Sequence, residues 1–539
     1  MSEATLLVNG HIYLNRGQFA EALLIEDGLI SAVGTTEALR RLAPAGAAVR
    51  DLGGATVIPG FNDSHLHLAM KGQTLDDIDL LGATSIAECA ARVADYIARR
   101  NPAPSTVLHG RGWNQDYFDV DGNRLLTRAD LDAMTTEYPL ILERACGHIL
   151  TANTPALALA GIERDTAPVE GGEIDHDEQG ELVGIVRENS CDTVLKIIRT
   201  PTDDDVKRQL KTAMRYALAN GVTSVQTMDM RPRNWRQMWR LYDEIAQEDP
   251  LVRVWHQVNF MEPNGFRAFL EAGMHTGVGT PFNRVGPLKM FLDGSLGART
   301  AVMRQPYHDD PTVTGIATLT PEQIDEMVGL AVEHNCSVAM HAIGDGAIER
   351  ALDAYRPYTE GGHNPHRLGI VHVQITDAGL LARFAEQQVL AYVQPIFLHY
   401  DIQIVEDRVG PALAATSYAF RTLIHNGTPT SLGTDCPVEE ISPFDNLYCA
   451  VTRKNLRGTP DGGFHPEEAL DIYEAIDAYT VGSAYASFEE HVKGRLLPGY
   501  YADLVVLSED IFSVPAERIR EVHAVATMTG GRFVYERGN

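Results

Sequence analysis

Apolar runs of strand length recur through the middle of the chain, at 55–58, 223–228, 252–260, 287–292, 336–341, 368–374, 389–395 and 429–434. Most are separated by segments of helical length. A strand covered on both faces reads as a near-continuous apolar run, and alternation of such runs with helices signals α/β architecture with a parallel sheet. Two intervening segments show the helical logic. Within 202–220, Val206, Leu210, Ala213, Met214 and Ala217 fall on one face, and Asn220-Gly221 offers a C-cap. Within 320–334, Thr320 stands at the N-cap, Pro321 at the first helical position and Gln323 where a capping box needs it, ahead of a stripe of Ile324, Met327, Val328 and Ala331. Eight such strands predict a (β/α)8 TIM barrel. The gap between the first and second runs is too long for one crossover. Residues of about 75–200 are therefore predicted to form an insertion after barrel strand one, with the Gly-rich stretch Glu170 to Gly180 as a hairpin or loop.

The flanks follow a shorter rhythm. Leu6-Leu7-Val8 leads into Asn9-Gly10, a hairpin dipeptide, and then His11-Ile12-Tyr13-Leu14. Ala22-Leu23-Leu24-Ile25 and Leu29 to Gly34 flank the turn Glu26-Asp27-Gly28. Matching pieces lie at 502–507, 522–528 and 532–535. Neither flank is large enough to bury a core alone. They are predicted to pair into a composite β-sandwich, 1–58 with 490–539, the barrel of 59–489 being inserted between them.

The length of 539 residues suits two or three structural units. The net charge of −28 disfavours a nucleic-acid or anionic-membrane partner and is ordinary for solubility. The six cysteines are scattered with no Cys-x-x-Cys pair, which points away from a disulfide framework or a thiolate zinc site. Met1-Ser2-Glu3-Ala4-Thr5 has no basic region leading into an apolar core. A cytoplasmic setting is the expectation.

Chemistry enters at Gly60-Phe61-Asn62-Asp63-Ser64-His65-Leu66-His67, after the first run. Residues i and i+2 of a strand point the same way, so His65 and His67 can aim two imidazoles at one point. Alone, His-x-His is as readily a pair of ordinary histidines. Placement on the strands changes the balance. Lys289 lies in the fourth run, and His341, His372 and Asp435 end the fifth, sixth and eighth. A TIM barrel builds its active site at the C-terminal strand ends, so these residues converge on one mouth. Each has a structural alternative: a hydrogen-bonded core histidine, a lysine stretched along the wall, an aspartate capping the next helix. Their coincidence points to a metal site.

These segments resemble the amidohydrolase superfamily, and more narrowly its amidohydrolase-3 or YtcJ-like branch, which includes N-substituted formamide deformylases. The resemblance runs from Val8-Asn9-Gly10 through 59–67, 289–296 and 432–438 to 494–506. It implies a metal-dependent hydrolase that cleaves a C–N bond other than a peptide bond. By that resemblance His65 and His67 bind the more buried of two divalent ions, and His341 and His372 bind the second. Lys289 would bridge them as a carbamate, since a free ammonium has no lone pair, with the ions about 3.5–4 Å apart. Imidazole and oxygen ligands suit zinc best and also accept manganese, iron or nickel. In the implied mechanism a metal-bridging hydroxide attacks the carbonyl. Asp435, a ligand or hydrogen-bonded to that water, serves as general base and then as acid to the leaving nitrogen.

One departure is visible. The branch usually carries Glu-His-Ala-Gln where this chain has Val371-His372-Val373-Gln374. The missing glutamate would point to the opposite face, so ligation by His372 should survive. In the insertion, the segments His109 to Tyr117 and Arg144 to His148 resemble family segments that approach the mouth. His148 is expected to hydrogen-bond the substrate carbonyl or oxyanion. Trp113 and Tyr117 are expected to form an apolar wall, or equally to be core of the insert. Arg299, in the loop after Lys289, would face an anionic substrate or a structural carboxylate. A deaminase or cyclic-amide hydrolase is the alternative chemistry on this scaffold, although a mononuclear deaminase would not need a carbamylated Lys289. A non-catalytic binding or regulatory protein predicts a lost ligand, and all six are present. The expected partner is a small amide-type molecule, with no nucleic acid or membrane, and assembly as a homodimer stays open.

Overall fold

The computed structural model describes residues 4–104, 106–146 and 148–538. Met1, Ser2 and Glu3 of the N-terminal expectation, and Gly147 of the Arg144–His148 segment, lie outside them. The chain divides into two compact units, one of residues 1–70 with 210–539 and one of residues 71–209.

The first unit holds a nearly closed barrel of eight parallel strands: Phe61–Leu66, Val222–Met230, Arg253–Asn259, Asn283–Phe291, Val338–Ala342, Gly369–His372, Leu390–Val393 and Thr430–Leu432. Each is hydrogen-bonded in parallel to the next. The first and eighth meet just past their ends, where Asp435 N–H donates to the His65 carbonyl and His67 N–H to the Cys436 carbonyl, each at 2.7 Å. Every run expected from 223 onward coincides with one of these strands. Val222–Met230 is buried along its whole length, which is why the runs read as apolar. Between them, helix Pro321–Glu333 starts on the expected capping box: Gln323 N–H donates to Thr320 Oγ1 at 3.3 Å, and Thr320 N–H to Gln323 Oε1 at 2.9 Å.

The expected first run is a correction. Thr56–Pro59 belongs to the chain-end sheets, with Val57 opposite Ile12 and Ile58 opposite Val505. The barrel begins just after Gly60. A Cβ there would stand 2.1 Å from Thr223 Oγ1, so the chain passes from sheet to barrel at a point that only glycine fits.

Both chain ends contribute to the flanking sheets. One is ordered Leu29–Gly34, Ala22–Glu26, Ala4–Val8, Ala48–Asp51; the other is ordered Arg532–Glu536, Ala524–Thr529, Leu504–Leu507, Thr56–Pro59, His11–Asn15, Gln18–Ala20. Leu7, Leu23 and Ile25 of the first pack with Ile12, Val57, Leu504 and Met528 of the second. The Asn9-Gly10 expectation fails. Ala4–Val8 and His11–Asn15 lie in different sheets, so the dipeptide, with Asn9 at φ 55°, carries the chain between sheets. Asp27-Gly28 does close a hairpin, with Glu26 opposite Leu29 and both turn residues at positive φ, as a type I′ turn requires.

The second unit is a six-stranded sheet in the order Gly172–His176, Leu182–Glu188, Ile149–Ala152, Leu140–Arg144, Leu108–Trp113, Ile78–Asp79. The Gly-rich stretch forms the antiparallel pair Gly172–His176 with Leu182–Glu188. Helix Ile86–Arg100 supplies Cys89 and Val93 to a core with Leu108, Trp113, Phe118 and Leu140. Among the described residues, no helix is long and apolar enough to cross a membrane.

Candidate metal centre

The ladder between the first two barrel strands breaks register near Leu66, and the strand tip turns both histidines toward Asp435. His65 Nε2 and His67 Nε2 lie 3.3 and 3.0 Å from the same oxygen, Asp435 Oδ1. The His372 ring stands 5.6 Å from that of His65 and 4.5 Å from that of His341. Ligand atoms of His65, His372 and Asp435 all lie within 4.8 Å of one another.

Hydrogen bonds fix which nitrogens face inward. The Gln257 amide donates to the Ser64 carbonyl at 2.9 Å and so presents its oxygen to His65 Nδ1 at 2.6 Å. The Gln394 amide donates to the Tyr392 carbonyl at 3.2 Å and presents its oxygen to His372 Nδ1 at 2.9 Å. An amide oxygen only accepts, so Nδ1 carries the proton in both rings and Nε2 the lone pair. Burial holds both imidazoles neutral, well below the ordinary range, helped by Lys289 and His67 beside His65 and by His341 and Lys289 beside His372. The His65 lone pair therefore faces a carboxylate, and neither can donate to the other. A cation between them resolves the conflict, and imidazole with carboxylate is a donor set that divalent transition metals take.

Lys289 is the second mark. It is fully buried, its Nζ has no hydrogen-bond partner among the described residues, and it stands 5.0 Å from the Phe291 ring centre. Burial draws its pKa down to about 7 against the pull of Asp435 and Asp293. His67 Nδ1 is likewise buried without a hydrogen-bond partner among the described residues. These orphaned atoms fit a site that holds metal.

The backbone is strained at the same place. His372, Val373 and Asp435 have φ of 84°, 50° and 58°, a region that costs non-glycine residues about 1–3 kcal/mol each and persists where the surroundings over-determine it. Asp63 does so for Asp435. Its carboxylate accepts from Thr434 N–H at 3.1 Å, the Thr434 hydroxyl at 2.7 Å and the Tyr479 hydroxyl at 3.0 Å, and burial lifts its pKa to about 7. Gln257, Gln394 and Asp63 were not expected as site residues. Their one sequence signal is a polar side chain in or beside a strand that should be apolar.

Two expected substrate contacts are otherwise engaged. Trp113 is fully buried in the core of the second unit, with its indole N–H donating to the Leu142 carbonyl at 3.0 Å, so it is packing and not a wall. Arg299 pairs with Asp309 at 3.0 and 2.8 Å, a structural carboxylate. Tyr117 is 56% exposed. His148 is exposed, with Nδ1 2.8 Å from Glu188.

Buried histidines, a lysine and an aspartate at the strand ends of an eight-stranded parallel barrel define a class, the metal-dependent hydrolases of the (β/α)8 type. The chain belongs to the amidohydrolase family, whose model matches residues 48–535. It is 32% identical over 533 residues to the putative amidohydrolase YtcJ of Bacillus subtilis, covering 98% of each chain. It is 25% identical over 555 residues to the N-substituted formamide deformylase of Arthrobacter pascens, covering 97% of this chain and 96% of that one. The crystal structure of an uncharacterized metal-dependent hydrolase from Pyrococcus horikoshii aligns with a TM-score of 0.77 at 30% identity, covering 95% of this chain and 99% of that one.

Proposed function

We propose that this chain hydrolyses a C–N bond of a small N-acyl or N-formyl amide at two divalent ions held by His65, His67, Lys289, His341, His372 and Asp435. The observation that carries the reading is the His65 lone pair set against the Asp435 carboxylate beside a buried, unpartnered lysine. Zinc suits these donors best. Lys289 serves as a carbamate. Burial favours its neutral amine, the form that adds CO2 to give a carbamate and a proton, and the resulting anion accepts where the ammonium could not. The N-formyl choice leans on the relative from Arthrobacter pascens.

Bound there, the ions supply Lewis acidity to the substrate carbonyl and acidify a water. Asp435 moves the proton: its carboxylate accepts one from the attacking water and returns it to the departing nitrogen. A group that acts twice on opposite sides of one reaction must not wander. The left-handed backbone at Asp435 and the clamp from Asp63 to Thr434 keep it in place.

The test is a screen of the full chain, reconstituted with zinc and bicarbonate, against N-formyl and N-acyl amines, lactams, carbamates and amino-substituted heterocycles. Elemental analysis of the same sample is expected to give about two metal ions per chain. Less than about one ion per chain would count against the binuclear site. Turnover confined to amino-substituted heterocycles would replace the amidase by a deaminase.

A further inference from the structure

Just past the fourth barrel strand, Asp293 is a carboxylate only 3% exposed, with donors on every side. It accepts from Val302 N–H at 2.9 Å, Gly344 N–H at 2.9 Å and Ile343 N–H at 3.1 Å. The fourth neighbour is His341 Nε2, 3.2 Å from Asp293 Oδ1 and 3.0 Å from the Gly294 carbonyl. Both atoms facing Nε2 can only accept. Nε2 must therefore carry a proton, and in the neutral ring Nδ1 holds the lone pair.

We propose that Asp293 is a positioning residue that fixes His341 as an Nδ1 metal ligand and strengthens that ring as a donor, while fastening the loop 293–302 to the start of helix Asp345–Tyr355. The proposal rests on the metal-centre reading above. Three observations carry it. His65 and His372 are backed by neutral glutamine oxygens, whereas His341 Nε2, hydrogen-bonded to the Gly294 carbonyl, also has an anion 3.2 Å away, and a carboxylate behind an imidazole raises its basicity toward metal. The same carboxylate lies at the N-terminus of helix Asp345–Tyr355, where the helix dipole favours negative charge. The loop is also held by its own backbone: the Val302 carbonyl accepts from Gly346 N–H at 3.0 Å and Ala347 N–H at 3.2 Å, and a Cβ on Gly344 would stand 2.1 Å from that oxygen. These backbone bonds do not pass through Asp293 and remain to hold the loop when its carboxylate is altered.

Asp293→Asn alters that carboxylate. It removes the charge and sets an amide nitrogen where only an acceptor fits. The full chain, stripped with a chelator and titrated with zinc against a competing dye, is expected to lose about 10–100-fold in affinity for one zinc equivalent. The other equivalent should stay within about threefold of wild type, and the cobalt-loaded chain should change its visible spectrum. Wild-type affinity for both equivalents, even with a lowered melting temperature, would make Asp293 a structural clamp only and overturn the proposal. If the variant does not fold, the wild-type chain decides. Its nitrogen-15 histidine spectrum, with His341 assigned by difference from His341→Gln, should show a protonated Nε2; an Nδ1–H tautomer overturns the assignment. A wild-type chain that takes up no zinc would end the metal-centre reading, and that spectrum would still judge what Asp293 does to His341.

Discussion

Two histidines, one buried at the barrel mouth and one half-buried in the inserted unit, end in opposite electrostatic states. His109 lies between Asp77 at 3.1 Å and Glu143 at 3.3 Å. Burial alone would lower its pKa, but the two carboxylates outweigh burial and lift it to about 9. At His65 burial is joined by Lys289, His67 and His372, all of which oppose a positive charge, and the pKa falls well below the ordinary range. A second proton on His109 is drawn by both carboxylates, although its Nε2 makes no hydrogen bond among the described residues. At His65 the one proton of the neutral ring is held by Gln257, and the lone pair is left facing Asp435. The difference separates a cluster whose charges balance among its own side chains from one that needs an outside partner. Where a charge meets its opposite, the cluster is structural. Where acceptors are packed against acceptors, the missing member is a cation.

The largest way to break the open network is at Asp435. Asp435→Asn keeps the shape but removes the proton acceptor, and turnover is expected to fall by about 10³-fold or more with a modest loss of bound metal. Near-normal turnover would take Asp435 out of the proton path. Gln257→Leu acts one step further back. It leaves the His65 Nδ1–H without an acceptor, frees the ring to rotate, and should weaken zinc binding by about 10–100-fold. Gln257→Glu restores an acceptor and should restore the binding. Equal affinity in wild type and Gln257→Leu would mean that packing alone holds His65.

How much of this could be read from the chain depends on what each strand buries. Strands two to eight announced themselves because both of their faces are covered. The first barrel strand did not. Phe61–Leu66 carries Asn62, Asp63, Ser64 and His65, all buried, and so reads as polar, while the apolar run just before it belongs to the chain-end sheets. The proposed ligands Lys289, His341 and His372 were legible because a histidine or lysine in an apolar strand is conspicuous. Their partners were not, since Gln257, Gln394 and Asp293 gain meaning only from the ring each one faces. Asn9-Gly10 misled for a related reason: a tight turn can join two sheets as well as two neighbouring strands. In the insertion, the resemblance of His109 to Tyr117 to a family segment says nothing about which way Trp113 points.

The balanced cluster offers a pH test with a definite sign. The folded His109 has a pKa of about 9, above the ordinary 6.5, so the folded state holds more protons between those values. Its contribution to stability is fully present below about pH 6.5 and is lost as pH rises through 9. The size is on the order of 2 kcal/mol. Denaturant midpoints measured from pH 6 to 10, wild type against His109→Gln, isolate this group: the difference should shrink steadily with pH. A difference that stays constant would mean that the Asp77–His109–Glu143 cluster contributes packing and not charge.

The smallest effect is expected at Arg299, and it sharpens the contrast from the other side. Its guanidinium is paired with Asp309, and the same carboxylate is also held by Arg408, which reaches the Gly297 carbonyl at 3.4 Å. Removing one cation from a carboxylate that keeps another leaves no group stranded. Such solvent-screened pairs add little to stability. Arg299→Gln should therefore melt within about a degree or two of wild type and shift KM equally, by less than about twofold, for neutral and anionic amides. A selective rise in KM for anionic amides alone would show that Arg299 releases Asp309 when substrate arrives. The loop after Lys289 would then join the open class with the histidines, and its ion pair would be the resting state of a substrate contact.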